Sequence, residues 1–106
     1  MPANDIEAFE YVVSDAETGL ELDYLTYAMF AYKKKKWIEH YANGNGGASP
    51  NQGQIDGWIS QLTEYDFQQM RNEAGAIFDR AAKEYLDSYI QEEKKRAVDT
   101  SILNEV

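Results

Sequence analysis

Cysteine is absent from this 106-residue chain. That removes disulfide staples, thiolate nucleophiles and thiolate metal sites together. It is compatible with a reducing cytoplasm, the compartment expected here. No apolar run approaches the roughly 20 residues needed to span a bilayer. The first residues include Asp5, Glu7 and Glu10, the reverse of a cationic signal peptide, so a soluble polypeptide without targeting information is expected. Positive charge is scarce. Ten Lys and Arg face 19 Asp and Glu, the net charge is -9, and residues 1–32 hold no base at all. The bulk field therefore repels nucleic acid and anionic lipid, and binding to either needs a local patch.

What is present suits one small domain with a real but modest core: 43% of residues are apolar and 27% charged. Residues 1–18 carry two patterns. Ile6, Phe9 and Val13 follow helical spacing behind Asn4 as a cap, with Glu7 three residues later, while Phe9, Tyr11 and Val13 alternate as a strand would. A lone strand would have no partner here, so a short helix or ordered arm is expected. Ser14 with Glu17 and Thr18 with Glu21 both fit a capping box, and Thr18 is the preferred start. Leu20, Leu22, Leu25, Met29, Tyr32, Trp37, Ile38 and Tyr41 then run without a breaker. Asn43-Gly44-Asn45-Gly46-Gly47 ends that helix with residues that tolerate left-handed backbone angles.

A second helix is expected from Ser49 as cap and Pro50 at the first helical position, with Ile55, Trp58, Ile59 and Leu62 on one face. Gly53 and Gly57 weaken it by about 1 kcal/mol each relative to alanine. Thr63, with Asp66 in the first turn, opens the last helix. Phe67, Met70, Ala74, Ile77, Phe78, Ala81, Tyr85 and Leu86 make one stripe, which Tyr89 and Ile90 extend. Asp79 with Lys83 and Glu92 with Arg96 are i, i+4 pairs in the favourable order. This helix is expected to run to about residue 97, where Asp99, Thr100 and Ser101 interrupt it.

The fold class expected is therefore all-α: a small domain of three helices at 19–42, 50–62 and 64–97, with a fourth if residues 1–18 are helical. The last helix is the long one. The division is an arm or short helix at 1–18, a helical domain at 19–98 and a tail at 99–106. Leu25, Met29, Trp58, Phe67, Met70, Phe78 and Tyr85 are the expected core.

Candidate chemistry is thin. His40 is the one histidine, and Glu39 beside it points elsewhere on a helix, so His40 reads as a polar helix-end residue. Asp15, Glu17, Glu21 and Asp23 match neither an EF-hand nor HExxH and suit a helix N-terminus. The Gly44–Gly47 stretch lacks the GxxxxGK[ST] pattern of a phosphate loop. No catalytic residue, metal ligand or cofactor site is assigned, and an enzyme is not expected.

Lys33, Lys34, Lys35 and Lys36, followed by Trp37, form the most noticeable local feature. They read as a solvated face answering the acidic remainder, or as a phosphate contact with Trp37 or Tyr41 as a stacking platform. Tyr24, Tyr27, Trp37 and Tyr41 read as core or interface, or as a ligand row. Lys94, Lys95 and Arg96, behind Glu92 and Glu93, read as a solvated helix end, or as a juxtamembrane cluster if the native chain continues past Val106. The leading expectation is a non-catalytic interaction or adaptor module that self-associates along the long helix at Leu86 and Ile90. The partner is a second copy or an unidentified protein. Nucleic acid is a second reading, disfavoured by charge, and the soluble part of a membrane-anchored protein is a third.

Overall fold

A computed structural model describes residues 1–13 and 19–105, with side chains described through residue 98. Among the described residues there are four helices and no strand. The expected all-α class, with a long C-terminal helix, is the architecture observed.

Helix α1, Asp5–Val12, resolves the ambiguity of the first residues in favour of a helix. The Asn4 Oδ1 accepts from the Glu7 N–H at 2.9 Å, and the Glu7 carboxylate accepts from the Ala3 N–H at 3.1 Å. These contacts satisfy amides that a helix start leaves orphaned. The buried face is not the expected one. Ala8 and Val12 are buried, whereas Ile6 is 71% exposed and Phe9 42%.

Helix α2, Leu20–Gly44, begins after Gly19, whose φ of 81° lies in the left-handed region. The expected caps at Ser14 and Thr18 lie outside the described residues. The helix ends two residues later than expected. Gly46 takes a φ of 65°, and the Gly47 N–H reaches back to the Ala42 carbonyl at 2.8 Å. This is the six-to-one closure of a Schellman end, and it needs a residue without Cβ at the left-handed position.

Helix α3, Gln52–Gln61, starts from Asn51 rather than Ser49. Asn51 Oδ1 accepts from the Gln54 N–H at 2.8 Å, and Gln54 Oε1 accepts from the Asn51 N–H at 2.9 Å. Asn is at least as good a cap as Ser, and this register places Pro50 in a buried position before the helix. Leu62 and Thr63 alone separate α3 from α4, Glu64–Glu105. Asp66 N–H donates to the Thr63 hydroxyl oxygen at 3.2 Å, and the Asp66 carboxylate accepts from the Thr63 N–H at 2.8 Å, as the sequence pattern indicates. Asp99, Thr100 and Ser101 do not interrupt α4. Each lowers helix propensity by only tenths of a kcal/mol, unlike Gly or Pro.

The chain divides into two units, Met1–Ala76 and Ile77–Val106. The first holds a core of Ala8, Val12, Phe30, Ile59, Phe67 and Met70, with Tyr27, Met29, Ile55, Trp58 and Leu62 packed around it. Phe30 is fully buried, and its ring centroid lies 5.7 Å from Tyr27, 6.1 Å from Trp58 and 6.1 Å from Phe67. The buried face of α2 is Asp23, Thr26 and Phe30, rotated by one residue from the expected Leu22, Leu25 and Met29. Three core assignments need correction: Leu25 is half-buried and outside the core cluster, Phe78 is 44% exposed and Tyr85 71%. Phe78 and Tyr85 lie in the second unit, where no described side chain is buried. Among the described residues, no helix is long and apolar enough to cross a membrane.

Candidate functional site

The four lysines sit in the middle of α2, where 100° per residue sends them in different directions. Lys33 Nζ lies 3.3 Å from Glu73 on α4. Lys34 Nζ lies 2.7 Å from Asp5 on α1, and both side chains are largely covered. Lys35 and Lys36 approach Glu39 at 3.9 and 3.4 Å, and the Lys36 ammonium sits 5.6 Å from the Tyr32 ring centroid. Each lysine therefore answers a carboxylate of its own chain. Lys34 ties the first helix to the second. The run forms no single flat patch.

Trp37 and Tyr41, the proposed stacking platform, are half-buried. Trp37 stacks on Trp58 with centroids 5.6 Å apart and planes 19° apart. Tyr41 lies 5.6 Å from Trp37, and its hydroxyl accepts from Gln54 Nε2 at 2.7 Å. These rings dock α3 against the C-terminal half of α2, which offsets the weakness of a helix carrying Gly53 and Gly57. His40 is exposed on α2, and the neighbouring Glu39 carboxylate is engaged by Lys35 and Lys36. In the acidic set, Asp15 and Glu17 lie outside the described residues. Glu21 is exposed and Asp23 is buried.

The Asp23 carboxylate accepts from Arg71 Nη1 at 2.7 Å, joining α2 to α4. The sequence reading missed this pair. A signal existed, because Arg71 is the one Lys or Arg between residues 37 and 79. Beside it, a cleft of about 330 Å³ is lined by Tyr11, Val12, Thr26, Glu64, Phe67, Gln68 and Arg71. Among its described lining residues the charged groups are Glu64 and Arg71, of opposite sign, and Arg71 already serves Asp23. Among the described residues, no group of three or more His, Asp or Glu side chains is arranged to hold a metal ion.

The feature left is the apolar face of the second unit. Ile77, Phe78, Tyr85, Leu86, Tyr89 and Ile90 are 42–71% exposed. Ala81 and Ala82 lie between them, also exposed. At 100° per residue these residues span about 220° of the circumference, with Asp79 falling between Leu86 and Ile90, and Arg80, Lys83, Asp87 and Lys94 on the remaining side. The expected interaction residues Leu86 and Ile90, at 54% and 46% exposure, are on this face. A second, shallower apolar groove, lined by Asp5, Ile6, Phe9, Glu10 and Tyr27, lies on α1 and α2.

No family model matches this chain, and no curated protein or solved structure is detectably similar to it.

Proposed function

We propose that this protein is a non-catalytic helical interaction module that self-associates through the apolar face of residues 77–90. The observation that carries the reading is the continuity of that face. Single exposed apolar residues are ordinary, but a contiguous row rimmed by charge marks an interaction surface. A helix in water draws most of its stability from packing an amphipathic face, and isolated segments are marginal. The second unit has no buried side chain among its described residues, so none of them gives its helix that support. A second copy supplies it.

The nucleic-acid reading of Lys33–Lys36 and Trp37 gains no support, since the lysines are ion-paired and the indole is stacked on Trp58. A cytoplasmic location belongs to the same proposal, and the cysteine-free sequence is compatible with it.

Replacing Leu86 and Tyr89 together by Glu tests the reading. Both Trp residues lie in the first unit, so their fluorescence reports its folding separately. The expected outcome is loss of self-association and of helical ellipticity with unchanged Trp emission. Association equal to that of the unaltered protein overturns the reading.

A further inference from the structure

We infer that Asn45 is a site of spontaneous deamidation, and that the fold directs this reaction to Asn45 and away from Asn43. The chain holds two Asn–Gly steps, Asn43–Gly44 and Asn45–Gly46, and all four residues are exposed. Deamidation begins when the backbone nitrogen of the following residue attacks the asparagine Cγ. Glycine in that following position has no Cβ to crowd the approach. By sequence alone the two steps are equivalent.

The fold separates them. Asn43 and Gly44 are the last two residues of α2. In a helix the Gly44 N–H donates to the carbonyl four residues earlier, and the backbone rotation that brings it to Cγ breaks that ladder. Asn45 follows the helix, with φ -126° and ψ 36°. In this turn the Asn45 N–H donates to the Ala42 carbonyl at 3.1 Å and the Gly47 N–H to the same oxygen at 2.8 Å. The Ala48 N–H donates to the Asn45 carbonyl at 3.2 Å. The Gly46 N–H has no backbone acceptor among the described residues, and nothing lies within 4 Å of where its Cβ would be. The nitrogen that must attack is therefore the one in this turn that gives up no hydrogen bond to do so.

The step needs only water as co-reactant. A bond forms between Gly46 N and Asn45 Cγ, the Cγ–Nδ2 bond breaks, and ammonia leaves with the proton that the Gly46 nitrogen gives up. Water then opens the cyclic imide. Opening at the side-chain carbonyl leaves aspartate at position 45. Opening at the main-chain carbonyl leaves isoaspartate, with one more methylene in the backbone. Nothing is oxidised or reduced.

The product disturbs the end of α2. Asn45 Nδ2 donates to the Tyr41 carbonyl at 2.7 Å, one of the acceptors that a helix end leaves orphaned. A carboxylate has no proton to donate, and it sets a negative charge at the negative end of the helix dipole. The last turn of α2 holds no base to offset it. Tyr41 also accepts from Gln54 and packs against Trp37, so the reaction loosens the corner where α3 docks.

The full chain is incubated at mildly alkaline pH, folded and in guanidinium chloride. Fragmentation of the tryptic peptide of residues 37–71, which holds both steps, assigns the position of each amide-to-acid change. In the folded protein Asn45 is expected to convert about tenfold faster than Asn43, equivalent to an opening cost of about 1.4 kcal/mol for the last helical turn. In denaturant the two convert at similar rates. Equal conversion in the folded protein overturns the inference. So does an Asn45 that stays intact in the folded protein while denaturant releases both. The converted fraction, separated by its added negative charge, is expected to unfold at a lower urea midpoint. A midpoint equal to that of the unconverted protein overturns the loosening of the α2 and α3 corner.

Discussion

Phe30 is the side chain around which the first unit packs. It is fully buried and meets rings from α2, α3 and α4 through Tyr27, Trp58 and Phe67. Phe30→Ala removes the centre of that cluster, and the expected cost is about 3–5 kcal/mol, a large share of a small domain's stability. Urea unfolding followed by Trp fluorescence reads it directly, and a cost below 1 kcal/mol would show that the core lies elsewhere. Asp23 and Arg71 present a different residue-scale case. Asp23 is 5% exposed, so removing the guanidinium leaves a buried carboxylate with one fewer donor. Arg71 keeps 42% of its side chain in water, which lowers the effect below that of a fully buried pair. Arg71→Ala is expected to cost about 1–2 kcal/mol in the same unfolding experiment, against less than about 0.5 kcal/mol for Lys35→Ala on the exposed face of α2.

At the scale of the element, legibility follows the range of the interaction. The caps at Asn4 and Thr63 were readable because they are contacts across three residues, set by side-chain length and backbone geometry alone. The shift from Ser49 to Asn51 at α3 has the same local origin: two residues competed for one role, and both had a Gln three positions later. The face of α2 was not readable. Its apolar residues are nearly continuous, so the rows through Leu25 and Asp23 differ by one residue, and the choice depends on α1 and α4 packing against it. The fate of the lysine run was equally hidden, since Lys34 and Lys33 find partners 29 and 40 residues away. Leu86 and Ile90 were legible as one helix row because periodicity alone places them together, but the exposure of that row was not: the same stripe put Phe78 and Tyr85 in the expected core. Gly57 offers a test of the helix assignment for α3. It has helical backbone angles, and a Cβ there would meet nothing within 4 Å. Gly57→Ala is therefore expected to raise stability by about 0.5–1 kcal/mol, seen as a higher urea midpoint. A lower midpoint would contradict the placement of Gly57 inside an open helix face.

For the whole molecule, the governing quantities are a net charge of -9 and an apolar row that one chain leaves exposed. These oppose each other. Burial of the row favours pairing, while two acidic chains repel, so added salt strengthens association until the repulsion is screened. A nucleic-acid complex has the opposite sign, weakening steeply as salt rises. Salt dependence therefore separates the leading reading from its first alternative without knowledge of a partner. The measurement that tests the central claim most directly is solution mass by light scattering on a sizing column, over a hundredfold range of concentration and at two salt levels. The account predicts a mass rising from the 12.1 kDa of one chain toward twice that value, at lower protein concentration when salt is higher. A mass fixed at 12.1 kDa throughout would contradict it.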